Sequence, residues 1–440
     1  MKKKILVVCQ RFWPEHQKIN EICEGLKERD CKVDVLCGRP VRPNGSFYPG
    51  YGAFRPREEE HNDLHIFRAA EIRKTGSTGL NIFFSHISFF ITSWFRSFSL
   101  SRNRYDRIFI YQLSPLTMAS GGFRIAKRQG VPVTLYCASL WPFSILRELD
   151  VHSAVLKKLI TSFSRSYYRR ADRIIAPTEK IQEYFIKELE IPAGRVLYVP
   201  PFPSETYENK VRDRWVMEKY SGSFNIFCAG GTSDEQDWKT ILECGEMLRR
   251  AGIRDVRFMI TGAGRRLELL RRQAEKRHLG DSFYFEETDD ISEISKYLFV
   301  ADVFLECTKL EFIDEYYIPD LLIDLMSVGR PLITTSGEQT KALIADAGCG
   351  FSAEPGNAKS LFDVIMRLYR LSFEELEKLG ENASAYQKEH FDRDKNTDAM
   401  LEIMLEKKYA EQDGGKGSSV IAYGREEIEE ILPSEEKKEE

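Results

Sequence analysis

The sequence predicts an α/β protein made of two Rossmann-like, doubly wound domains. Three observations point there. Short apolar, β-branched runs alternate with amphipathic helices from Lys4 onward, the pattern of parallel sheets covered on both faces. That pattern pauses at Pro200-Pro201 and restarts at Phe224. Two of the later strands run into glycine turns, at Gly230 and Gly262, as strands do where a ligand meets the carboxyl edge of such a sheet. The expected organisation is a first domain over 1–203 and a second over 204–385, with an acidic, disordered tail over 409–440.

Composition is globular, with 42% hydrophobic and 30% charged residues, and 440 residues suffice for two such cores. Lys2-Lys3-Lys4 leads into an apolar run too short for a signal peptide, so a cytoplasmic protein is expected. Nine cysteines lie scattered without a Cys-x-x-Cys pair, which speaks against a disulfide framework or a structural zinc site. Seven isolated histidines add no metal spacing, and no bound metal or cofactor is expected. The net charge of −4 hides an asymmetry. Residues 1–203 carry 32 Lys and Arg against 19 Asp and Glu, a net of +13; the rest carries 32 against 49, a net of −17. A basic half implies an anionic partner surface, and a membrane leaflet fits better than nucleic acid.

In the first domain, residues 4–9 read as a buried strand and 32–38 as a second. Between them an amphipathic helix carries Ile19, Ile22, Cys23 and Leu26 on one face. The prolines and glycines of residues 40–52 mark a long loop. Residues 80–98 place Phe83, Ile87, Phe90, Ile91, Trp94 and Phe98 at helical spacing, with Ser85, Ser88, Thr92 and Arg96 opposite. The run is interrupted and too short to span a bilayer, which needs ~20 residues. It suits either a core helix or an aromatic face dipping into a membrane interface. Lys157, Lys158, Arg165, Arg169 and Arg170, in another helix, would add attraction to anionic lipid. Further strands follow at 105–111, 131–137, 171–176 and 195–199.

In the second domain, the strands from Phe224 and Val256 lead into Gly230-Gly231-Thr232 and Gly262-Ala263-Gly264-Arg265-Arg266. Such turns offer backbone N–H groups to a diphosphate. Either arginine could meet a phosphate or a base, and both could equally be surface residues of a helix's first turn. Strands at 283–286 and 302–306 flank a helix at 291–298. Pro319 opens and Gly329 closes a short helix that runs into the strand 331–335. Its N-terminus, at Pro319, Asp320 and Leu321, suits a phosphate, and Asp324 further along could hold sugar hydroxyls. A dinucleotide site is excluded, since no strand leads into Gly-x-Gly-x-x-Gly with an acidic residue ~20 positions on. Helices from Ser372 and Asp392 close the ordered chain.

Several of these segments, in this order, resemble a branch of the family-four glycosyltransferases that builds bacterial capsule, exopolysaccharide and O-antigen repeats. They are Gln10-Arg-Phe-Trp-Pro-Glu15, Ile19-Asn20-Glu21, the loop ending Tyr48-Pro-Gly-Tyr51, and Leu140-Trp141-Pro142. The short helix also follows the family pattern, at Pro319, Leu322, Met326, Gly329, Pro331 and Ile333. Four positions depart. Ser139 and Phe143 stand where the family has acids, Leu321 where it has lysine, and Asp324 where it has glutamate. The family's paired glutamates lie eight apart; eight before Asp324 is Tyr316, with Glu315 beside it.

The resemblance covers roughly residues 4–400 and implies the GT-B fold, two domains facing a cleft. It implies that a last helix, over 386–408, crosses back to the first domain. The reaction it implies is transfer of a hexosyl or acetamido sugar, with retained configuration, from a nucleotide-sugar to a lipid-linked glycan at the inner face of the cell membrane. No metal is implied, because basic side chains and helix N-termini meet the leaving diphosphate. The resemblance gives catalytic roles to Ser139, Glu315 and Asp324. Donor-binding roles fall to Gly230, Gly231, Thr232, Gly262, Gly264, Arg265, Arg266, Pro319, Asp320, Leu321 and Asp324. Trp13, Glu15, Asn20 and Trp141 fall on the acceptor side. The four departures keep a second reading open, a catalytically degenerate partner subunit of another glycosyltransferase.

Overall fold

The computed structural model describes residues 2–42, 46–52, 58–71, 79–148, 151, 153–208, 212–288, 291–312 and 315–406; the tail expected over 409–440 lies outside them. The chain forms two units, one of Met1–Val199 with the residues from Thr397 onward, the other of Pro200–Asn396.

The first unit is built on eight strands: β1 (Lys4–Val8), β2 (Lys32–Cys37), β3 (Glu58–His61), β4 (Leu64–Arg68), β5 (Arg107–Gln112), β6 (Val133–Cys137), β7 (Arg173–Ala176) and β8 (Val196–Tyr198). Their order is β3-β4-β2-β1-β5-β6-β7-β8. Neighbours are parallel except β3 and β4. β1 lies inside the sheet, pairing Ile5 with Val33 on one side and Arg107 on the other. Ile5, Leu6, Val7 and Val8 are all buried, which is why the strand reads as a continuous apolar run rather than an alternating one. β3 and β4 go unpredicted. Glu58-Glu59-Glu60-His61 is a charged edge strand, and edges of this kind lack the apolar alternation that marks a strand.

The helix Gly79–Leu100 overturns part of its expected facing; its side chains are described from Ile87 on. Ser88, Phe89, Ser93 and Ser97 are buried, while Ile91, Trp94, Phe95 and Phe98 are exposed. Ser88 therefore does not belong to an outward polar stripe. The reason is the neighbouring helix Ser120–Gln129, where a Cβ on Gly121 would stand 3.1 Å from the Ser93 carbonyl oxygen. The two helices meet on a seam of small residues. Ser93 and Ser97 turn their hydroxyls onto the carbonyls of Phe90 and Trp94, at 3.1 and 2.6 Å, and Ser97 Oγ also accepts Arg124 Nη1 at 3.2 Å, so both can be buried. With the seam filled by serine and glycine, the aromatic residues point outward.

The second unit carries six parallel strands: β9 (Phe224–Cys228), β10 (Val256–Gly262), β11 (Phe283–Glu287), β12 (Val303–Glu306), β13 (Leu332–Thr334) and β14 (Gly350–Ser352). Their order is β11-β10-β9-β12-β13-β14. The short helix runs from Asp320 to Val328, with Pro319 as its cap and Gly329 in the left-handed conformation as its stop. The helix Phe373–His390 opens on Ser372 with a full capping box to Glu375. The last helix, Arg393–Leu405, begins in the second unit, where Asn396 Nδ2 donates to the Pro200 carbonyl at 3.0 Å. From Thr397 it belongs to the first unit. There Arg107 Nε donates to the Met404 carbonyl at 2.6 Å and Arg29 pairs with Asp398.

Candidate functional site

Parallel strands end on the same side, so each unit gathers its strand exits along one edge. In the second unit, β9 runs into Gly230, with φ of 85°, and Gly231, with φ of 53°. Side chains are resisted there for two reasons: the backbone is left-handed, and a Cβ on Gly230 would strike Gln236. At the end of β10, a Cβ on Gly262 would stand 2.8 Å from Thr232, so the two glycine turns pack directly together. The helix Gly264–Lys276 follows at once, with Arg265 exposed in its first turn. Arg266 is exposed too and is paired with Asp234 of the β9 turn.

The end of β12 was not anticipated as a polar site. Glu306 is 3% exposed, and its neighbours are hydroxyls. Thr334 Oγ1 donates to Oε2 at 2.6 Å, Ser336 Oγ reaches both oxygens at 2.7 and 2.6 Å, and Thr308 Oγ1 also donates to Oε1. A buried carboxylate is tolerated when its acceptor sites are filled. This cluster welds the ends of β12 and β13 together.

The short helix Asp320–Val328 places Asp324 differently from expectation. Positions two apart should diverge on a helix, yet Leu322, Ile323, Asp324, Leu325 and Met326 are all buried, because the helix is covered all round. Asp324 is 7% exposed, and its Oδ1 accepts the Ser204 backbone N–H at 2.6 Å. Its charge also helps burial push the Tyr207 phenol well up. Asp324 therefore tethers the segment after Pro200 to its own domain. Asp320 and Glu315 are exposed, and Leu321 is half-buried.

The corresponding edge of the first unit holds a denser network. Arg68, 3% exposed, donates to Glu59, to the Gly38 carbonyl at 3.1 Å and to the Trp13 carbonyl. Glu71 takes Gln10 Nε2 at 2.9 Å and Arg11 at 3.1 Å. Trp13 stacks on His61 with ring centroids 3.9 Å apart. Asn20 Nδ2 donates to the Glu15 carbonyl at 2.7 Å. Two strands along, the Ser139 carbonyl accepts Gln112 Nε2 at 2.8 Å, and the Trp141 N–H donates to the Tyr168 hydroxyl at 3.1 Å. Arg68, Glu71 and Gln112 carried no sequence signal; they become visible only once the strands they end are aligned.

Glu15 Oε1 accepts the Val41 N–H at 2.8 Å and lies 3.6 Å from Arg11. Burial raises its carboxyl above the ordinary range, against the pull of Arg11 and of that N–H. A carboxyl raised on folding adds stability below its unfolded pKa and loses it as pH climbs through the folded one. Glu15→Gln keeps an acceptor and removes the charge. The variant should unfold at a higher temperature than wild type at about pH 8, and thermal scans should show the gap closing by about pH 4.

Residues 16–201 match the glycosyl transferase 4-like domain and residues 209–386 match glycosyl transferases group 1. The chain belongs to the glycosyltransferases. Solved structures agree on the GT-B fold across nearly the whole length. Sucrose-phosphate synthase from Thermosynechococcus elongatus is 14% identical, with a TM-score of 0.68 over 92% of this chain and 98% of that one. A glycosyltransferase from Rickettsia africae is 13% identical, with 0.65 over 92% and 98%. HepE from Anabaena, solved with UDP and glucose, is 13% identical, with 0.63 over 91% and 98%. No curated protein matches.

Within the enzyme, the donor residues expected at Gly230, Gly231, Thr232, Gly262 and Gly264 do come together on one edge of the second unit. Trp13, Glu15 and Asn20 likewise cluster in the first unit. Among the described residues no three His, Cys, Asp or Glu side chains gather as metal ligands would. No described helix is long and apolar enough to cross a membrane.

One surface of the first unit is neither core nor polar. Phe95 is 67% exposed, with Ile91, Trp94 and Phe98 beside it on the helix. Arg124 caps them, its guanidinium carbon 3.1 Å from the Phe98 ring centre and 4.9 Å from that of Trp94. The helix Ala154–Tyr168, expected to add only charge, also exposes Val155, Leu156, Leu159 and Phe163, Val155 by 71%. Lys157 and Lys158 are exposed among them.

Proposed function

We propose that the enzyme transfers a hexosyl or acetamido sugar, with retained configuration, from a nucleotide-sugar to a lipid-linked glycan. It would work peripherally at the inner face of the cell membrane, in capsule or exopolysaccharide synthesis. The observation that carries the acceptor half is the exposed apolar face of Ile91, Trp94, Phe95 and Phe98, with a second lysine-flanked apolar helix in the same unit. Exposed aromatic and aliphatic residues beside basic ones suit the interface of an anionic leaflet. The donor half is supported by the glycosyltransferase domains and by the UDP and glucose bound to the Anabaena relative. No metal is invoked: the leaving diphosphate would meet the two glycine turns, Arg265 and the first turn of the helix Gly264–Lys276.

The test is transfer itself. Radiolabelled UDP- and GDP-sugars are incubated with the protein and membrane lipid extract. Label should pass into the organic phase, with the donor's anomeric configuration kept by NMR. Transfer only to water-soluble glycans would overturn the acceptor assignment. The commitment of Asp324 to the Ser204 amide favours a second reading, a degenerate partner subunit. On that reading nucleotide binds, but no label moves until another glycosyltransferase is added.

A further inference from the structure

Gln236 is the buried polar group that the site described so far does not use. It is 6% exposed, and its side-chain oxygen Oε1 is buried with no hydrogen-bond partner among the described residues. Buried amides are nearly always satisfied, so such an orphan calls for an explanation. Its position is fixed from both sides. Gln236 bridges to Thr308 across an antiparallel pair, the Lys309 N–H donates to the Glu235 carbonyl at 2.8 Å, and the Asp237 N–H donates to the Cys307 carbonyl at 2.9 Å. Asp237 in turn caps the helix Trp238–Arg250 through Thr240. These bonds hold the backbone on either side of Gln236. It lies on Gly230, in the turn that leaves β9, beside the glycines that meet the β10 turn.

We propose that Gln236 reads the transferred sugar of the donor, its amide completing a hydrogen bond with a sugar hydroxyl or acetamido group. The chemistry excludes the diphosphate as the partner of Oε1. A carbonyl oxygen accepts, and a diphosphate at neutral pH has no proton to give, whereas sugar hydroxyls and acetamido N–H groups do. An unpaired amide in the empty enzyme also makes discrimination steep, because a donor lacking the matching group leaves it unpaired. This inference rests on the nucleotide-sugar reading above and goes beyond it by naming the residue that sees the sugar.

The experiment compares nucleotide-sugars with their bare diphosphates. Calorimetry is run with UDP-glucose, UDP-N-acetylglucosamine and GDP-mannose against UDP and GDP, for wild type, Gln236→Met and Gln236→Ala. Methionine keeps the volume and removes the polar amide. Affinity for the preferred nucleotide-sugar should fall about five- to tenfold in both variants, the range of one lost hydrogen bond, while affinity for the matching diphosphate stays within about twofold. Gln236→Met should unfold no earlier than wild type, since an unsatisfied group is removed. Equal losses for sugar-nucleotide and diphosphate, or no loss for either, would overturn the assignment while leaving the donor reading intact. If wild type binds none of the three nucleotide-sugars, the donor reading itself fails, and this one with it.

Discussion

Asp324→Ala is expected to cost about 1–3 kcal/mol of stability, because it strips the half-buried Ser204 N–H of its acceptor. Scanning calorimetry would show this as a fall of several degrees in the unfolding temperature of the second unit. Asp324→Asn keeps an acceptor oxygen for Ser204 and loses only the charge assistance, so its cost should be smaller, about 1 kcal/mol. Asp324→Glu adds a methylene to a side chain only 7% exposed, and overpacking of this kind costs ~1–3 kcal/mol. Restoring the family's glutamate is therefore expected to hurt, not help. The three variants also separate structure from binding. If the carboxylate holds a ribose as well, Asp324→Asn should lose tenfold or more in UDP or GDP affinity, one charged hydrogen bond's worth, despite its near-native stability. Unchanged affinity in Asp324→Asn would leave Asp324 a tether and nothing else.

How far the sequence reaches is clear from where Asp324 went. The helix itself was legible, since Pro319 and Gly329 punctuate it and both lie where expected. The burial around it was not, because a nine-residue helix that is apolar nearly all round gives no hint of which neighbour covers its polar position. The same contrast recurs elsewhere. Most interior strands were readable as apolar runs, while the charged edge strand β3 was invisible and its neighbour β4 was missed with it. The glycine turns of the second unit could be named from sequence. Gln236, Glu306, Arg68 and Glu71 could not, since a lone polar residue acquires meaning only when a parallel sheet aligns several strand ends. Lys157 and Lys158 were picked out for their charge; the apolar residues on either side of them, Val155, Leu156 and Leu159, passed unnoticed.

Trp94→Glu with Phe95→Glu is expected to abolish binding to vesicles containing anionic lipid, with little change in unfolding temperature. Both side chains are exposed, by 38% and 67%, so their loss removes little from the core. At an interface each would bury a large apolar surface, and full burial of such a side chain contributes ~1.5–3 kcal/mol. At 38% and 67% exposed the two have about one side chain's worth left to bury, ~1.5–3 kcal/mol, and each added carboxylate costs a further ~1 kcal/mol against an anionic leaflet, so vesicle affinity should fall by a hundredfold or more. Phe83, at the start of the same helical stripe, lies outside the described side chains, and Phe95, the most exposed of the face, is the better probe. Lys157→Glu with Lys158→Glu should act differently. Electrostatic attraction near an anionic leaflet is worth ~1 kcal/mol per basic residue and is screened by salt. That variant should therefore bind more weakly at low ionic strength, and its deficit should shrink as salt is raised, whereas the aromatic variant's deficit should persist. Co-sedimentation across a salt series reads both. If the aromatic variant pellets with vesicles as well as wild type does, the exposed face serves something other than a lipid surface, and the lipid-linked acceptor loses its principal support.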